Sequence, residues 1–245
     1  MFVGTPRSRC KCCGGCSVAS SAAWCELGES GEGSMEITHV VLTTRALDET
    51  AAFYAGVLGL HVVREPGEVT VAIGSSVLVF QEDTDAAGDQ HLAFTIPTGS
   101  FAAARGWLEA RVPLLGLGGV DEFDGPPSWN SSSLYFYGPD GSILELIERR
   151  DLDNAVAGDF GPQQLLCVSE IGLAVPDVLA TAAELAAAGI EPYANPPGES
   201  FAPVGDVHGL LILVAPGRPW FPTQSRTAAL SRLKVSLAGG RVLRF

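Results

Sequence analysis

The sequence predicts an α+β fold of paired βαβββ modules that form a cup, with a third half-module appended. Two observations carry that expectation. A pattern of one strand, one helix and three short strands recurs along the chain. The composition, 47% hydrophobic with 29 Gly and 16 Pro, fits a packed core with many turns rather than a disordered chain. A length of 245 residues allows one large domain or two small ones.

The first module starts with the apolar strand Ile37–Thr44. Leu47, Thr50, Ala51, Tyr54 and Leu58 follow at helical spacing, and Gly59 stands where a helix ends. Three strands are expected next, over Leu60–Arg64, Glu68–Ile73 and Ser76–Glu82, with Gly67 and Gly74-Ser75 at the turns. The pattern restarts with a strand at Gln90–Ile96 and a helix at Ser100–Ala110. Strands near Leu114–Val120, Ser132–Tyr137 and Ser142–Glu148 complete the second module, the last two joined by Gly138-Pro-Asp-Gly141. It restarts again with a strand at Cys167–Val175 and the alanine-rich helix Val178–Ala188. Short strands near Tyr193, Ser200–Val204 and Gly209–Val214 follow.

These elements divide the chain into a complete two-module domain at 35–150, a linker at 151–164, the half-module at 165–222 and a basic tail at 223–245. In the tail, Ala228–Leu237 has the spacing of a loose helix. Residues 1–34 differ from the rest. They hold five of the six cysteines, and Cys13-x-x-Cys16 has half of a zinc-knuckle spacing without a second half. No apolar stretch there suits a secretory signal. Met35 is the only methionine besides Met1, so residues 1–34 read as a disordered leader or an over-extended start.

Charge narrows the possible partners. Residues 35–222 hold seven arginines, no lysine and 25 acidic residues, within a net charge of −13 for the chain. That balance excludes phosphate-backbone binding and argues against an anionic membrane surface. No apolar run reaches the length of a membrane span, so a cytoplasmic location is expected. Low lysine with 13 arginines suggests coding from a GC-rich bacterium.

The repeat places chemistry in register. His39 and His91 stand at matching positions in the first strands of modules one and two, 52 residues apart. Glu145 lies among apolar neighbours in the last strand of module two, where a bare carboxylate would be costly without a cation or hydrogen bonds. Taken singly, each histidine could be an ordinary strand residue. Together the three make a set that leaves open positions on a divalent metal, suited to Fe, Mn, Zn or Ni.

Phe53-Tyr-Ala-Gly-Val-Leu-Gly-Leu60 and Tyr135-Phe-Tyr-Gly-Pro-Asp-Gly-Ser-Ile-Leu-Glu-Leu146 carry a further likeness. With them, residues 35–150 resemble the vicinal oxygen chelate superfamily of glyoxalases, extradiol dioxygenases and bleomycin-resistance proteins. The resemblance implies a cup whose metal is held by His39, His91 and Glu145. It also implies a small substrate that chelates the metal through neighbouring oxygens. Leu134-Tyr135, Pro139-Asp-Gly141 and Glu145 match part of the extradiol signature, with Tyr135 as a candidate hydrogen-bond donor, but the signature's histidine is absent. The alternative is a non-catalytic protein that binds an antibiotic-type small molecule. Trp107, Trp129, Tyr137 and Trp220 are candidates to line a ligand cavity. In module three, Glu170 falls at the His39/His91 position and Leu213 at the Glu145 position, and no second metal site is expected there. A half-module with an uncovered sheet face calls for a partner, so a homodimer through that unit is expected.

Overall fold

A computed structural model describes residues 34–245. The expected leader and its cysteine pair lie outside the described residues. Module one runs β1 (Ile37–Thr44), α1 (Leu47–Ala52), β2 (His61–Glu65), β3 (Glu68–Ile73) and β4 (Ser76–Glu82). A wider π-type turn over Phe53–Val57 extends α1. Module two runs β5 (His91–Ile96), α2 (Phe101–Glu109), the short β6 (Leu114–Leu115) and β7 (Phe123–Asp124), β8 (Ser131–Tyr137) and β9 (Ile143–Arg149). Module three runs β10 (Cys167–Ala174), α3 (Val178–Ala187), β11 (Phe201–Asp206) and β12 (Gly209–Val214). Two further strands follow, β13 (Lys234–Leu237) and β14 (Val242–Arg244). The helix expected over Ala228–Leu237 does not form. Its last four residues instead pair with β1, where cross-strand contact outweighs local helical spacing.

The fold is α+β as expected, with one sheet and three short α-helices among the described residues, but its strand order pairs the modules differently. The main path is β2-β3-β4-β1-β10-β5-β9-β8-β6. Strand β10 of module three pairs with β5 of module two. Modules two and three therefore share a cup, and the expected pairing of modules one and two does not occur. Module one instead takes β13 antiparallel to β1. Within the chain, the third module has β5 of module two alongside its first strand.

Strands β1 and β10 meet at Ile37 and Val168 before diverging to β13 and β5. Ser76 holds that junction. Its hydroxyl donates to the Ile37 carbonyl (2.6 Å) and accepts from the Val168 amide (2.9 Å). Gly74, at φ 53°, lets the β3–β4 turn press on module three: a Cβ there would lie 1.9 Å from the Leu166 carbonyl oxygen. Behind the sheet, Tyr54, Leu108, Ile171 and Leu185 belong to one continuous apolar core. Among the described residues, no helix is long and apolar enough to cross a membrane.

Candidate metal centre

The inner face of the cup follows the alternation of strand residues. Strand β5 contributes His91, β9 contributes Glu145, and β10 contributes Glu170. One ligand atom from each lies within 4.8 Å of the others, and all three side chains are buried. His91 Nε2 is 3.5 Å from a Glu145 oxygen and 3.9 Å from a Glu170 oxygen. On the other side of the ring, Nδ1 is 3.2 Å from the Ile143 carbonyl. With the proton on Nδ1, that carbonyl accepts it and the Nε2 lone pair faces the two carboxylates, the orientation in which a histidine can bind a cation.

The electrostatics favour a cation between these groups. Burial, followed by the Glu170 charge, pushes Glu145 up to about 7, against the pull of His91, Ser133 and Arg149. Burial works against protonating His91, but Glu170, Glu145 and the Ile143 carbonyl outweigh it and raise its pKa. His91 and Glu145 each feel the other's charge, and both feel that of Glu170. Two buried carboxylates this close repel, so the site favours a positive charge between them. Arg149, fully buried, supplies part of that charge: its Nη2 is 2.5 Å from Glu170 Oε1 and its Nε donates to Ser169 at 3.1 Å.

His39 does not join this group. The register expected for it is present: His39 lies opposite Val77 on β4 as His91 lies opposite Ile143 on β9. The difference is the strand alongside. β1–β13 and β10–β5 share the same antiparallel register with a shift at the same place. In that comparison His39 matches Glu170, and Lys234 matches His91. Two residues along β4 from Val77, Val79 stands where β9 has Glu145. Among the described residues, no group of three ligand side chains includes His39. In module three, Ile212 rather than Leu213 takes the place of Glu145, because Glu170 pairs with Leu210 and Gly172 with Ile212.

A cavity of about 450 Å³ opens onto the triad. Its walls are largely aromatic. Trp220 stacks on His91 with ring centroids 5.4 Å apart, and its indole N–H donates to the Asp89 carbonyl at 2.5 Å. Gly172 makes room for that indole: a Cβ would lie 2.6 Å from the Trp220 ring and 2.8 Å from the His91 Cβ. Tyr135, on β8 opposite Glu145, lines the cavity with its ring 6.4 Å from His91. Burial, then Glu145 and Glu170, raise the Tyr135 hydroxyl well above its ordinary pKa, so it keeps its proton and can donate. Of the other aromatic candidates, Trp129 lines the cavity, while Trp107 packs in the core and Tyr137 is exposed.

The family profile described as the glyoxalase/bleomycin resistance protein/dioxygenase superfamily matches residues 36–199, about two thirds of the chain. A Bacillus subtilis protein provisionally described as a dioxygenase superposes with a TM-score of 0.54 at 21% identity, covering 86% of this chain and 69% of that one. A lactoylglutathione lyase from Agrobacterium tumefaciens gives a TM-score of 0.41 at 23% identity, over 48% of this chain and 96% of its own. At such identities the likeness is one of fold. No curated protein matches the sequence. The repeated modules and the family profile agree: the chain belongs to the glyoxalase/bleomycin resistance protein/dioxygenase superfamily.

Proposed function

We propose that the protein is a divalent-metal-dependent enzyme acting on a small substrate that presents neighbouring oxygens to the metal. One observation carries this reading. His91, Glu145 and Glu170 converge, buried, at the end of an aromatic-walled cavity. The donor set fits a metal, and His91, Glu145 and Glu170 would hold it. One imidazole and two carboxylates favour oxygen-preferring ions such as Mn(II) and Fe(II) over softer ones. A bound ion would supply Lewis-acid stabilisation of a developing oxyanion or a site for dioxygen chemistry. Arg149 holds Glu170 in place. Tyr135 supplies a protonated hydroxyl beside the site, a hydrogen-bond donor for a substrate oxygen. Trp220 and Phe221 line the cavity beside the site.

The test is metal uptake, followed by activity. Purified protein stripped with EDTA is titrated with Mn(II), Fe(II), Zn(II) and Ni(II), beside the variants H91A, E170Q and H39A. Expected results are one tight site, a loss of affinity of about a hundred-fold or more in H91A, and no change in H39A. Screens for oxygen uptake with catechols and for isomerisation of hemithioacetals then separate the reaction classes. A wild-type protein that binds no divalent ion would refute the enzyme reading and favour a non-catalytic ligand binder with the same cavity.

A further inference from the structure

Of the seven arginines in 35–222, five pair with acids: Arg45, Arg64, Arg105, Arg149 and Arg150. Arg111 donates to the Trp107 carbonyl. Arg218 differs: among the described residues its guanidinium has neither an ion pair nor a hydrogen bond, and its carbon lies 4.8 Å from the centre of the Phe201 ring. Both residues line the cavity that ends on His91, Glu145 and Glu170. The side chain is half-buried, and burial alone draws its pKa below the ordinary value, with no carboxylate opposing it.

This cation is not on a loose tail. The Arg218 amide donates to the Ala215 carbonyl at 3.2 Å, and its carbonyl accepts from the Ala228 amide at 2.9 Å. The acids of the cavity are already engaged. Glu170 pairs with Arg149, Glu145 faces His91, and Asp124 accepts from Ser132 and lies 3.6 Å from Arg150. A partly desolvated guanidinium beside an aromatic-walled cavity, in a chain of net charge −13, lacks only a counter-charge.

We propose that Arg218 anchors an anionic group of the ligand, a carboxylate, distinct from the oxygens that face the His91 cluster. The substrate class is then a flat, apolar acid: its ring packs between the aromatic walls while Arg218 takes the carboxylate. This deepens the metal-enzyme reading and rests on it for the identity of the other end of the substrate.

The test compares 2-naphthoate with 2-naphthamide, which share a shape and differ in charge. Both are titrated into the full chain by ligand-observed NMR, with and without EDTA. Wild type is expected to prefer the carboxylate by about ten-fold or more. The preference should persist in EDTA, disappear in R218Q and R218M, and survive in part in R218K. The proposal is overturned if wild type shows no preference, or if R218Q and R218M keep it. A preference abolished by EDTA but kept in R218Q would place the carboxylate on the metal and also overturn it. Loss of both ligands alike in the variants would mean a packing role and overturn it as well. Failure of the metal reading shows up separately, as a chain that takes up no ion yet keeps the Arg218-dependent preference.

Discussion

Glu145→Gln should make the metal-free protein more stable and the metal-loaded protein impossible. The carboxyl is 2% exposed, and its pKa moves from 4.5 to about 7 on folding. A displacement of that size corresponds to about 3 kcal/mol of strain in the ionised form, shared across the coupled cluster. The sign follows from linkage. A carboxyl whose folded pKa lies above its unfolded value binds its proton more tightly when folded. Stability is therefore full below about pH 4.5 and declines as pH rises to about 7. The amide of E145Q carries no charge, so that decline should flatten, and at pH 8 in EDTA the variant should be the more stable by about 1–3 kcal/mol. Urea unfolding in EDTA from pH 5 to 8 measures it. Added Mn(II) should reverse the order, stabilising wild type by mass action and leaving E145Q unchanged. If E145Q is the less stable at pH 8 in EDTA, Glu145 is an ordinary structural hydrogen-bond acceptor and the cation argument is refuted.

Removing the counter-charge should act in the opposite direction. R149M leaves Glu170 buried without its arginine, facing only His91, and should cost about 3–5 kcal/mol in urea unfolding; a loss under 1 kcal/mol would mean that the pair contributes nothing. Gly172→Ala places a methyl against Trp220 and His91 and should cost about 1–3 kcal/mol. It should also shift the tryptophan emission, and an unchanged spectrum with unchanged stability would contradict the close packing.

The first strands, the three helices of the modules and the β3, β4 and β12 boundaries were legible, because apolar alternation and glycine turns are local signals. His91 and Glu145 were legible for the same reason: one stands at a fixed repeat position and the other is an acid inside an apolar strand. His39 has the register assigned to it, yet register says nothing about which strand lies alongside. That depends on a pairing between residues far apart in the chain, and here β10 lies alongside β5 while β13 lies alongside β1. Glu170 carried the same signal as Glu145, a carboxylate within Val-Ser-Glu-Ile-Gly-Leu, with Arg149 as a matching cation at the end of β9. Weighed within its own module it found no companions, because they belong to module two. Arg218 had no sequence signal: its significance is that no acid among the described residues pairs with it, which only the packed structure displays.

Nesting modules two and three inside the β1–β13 pair has a kinetic consequence. The Thr38 hydroxyl donates to the Ser236 carbonyl across 198 residues of chain. Contacts that far apart close late, after large losses of loop entropy. On a ribosome, module one emerges before modules two and three and must hold the β1 edge unpaired until Lys234–Leu237 have been made. The inner pair that carries the triad can close well before that. The triad would then assemble before the β1–β13 pair closes, and the exposed β1 edge marks the interval in which a nascent chain is most open to mispairing with a neighbour.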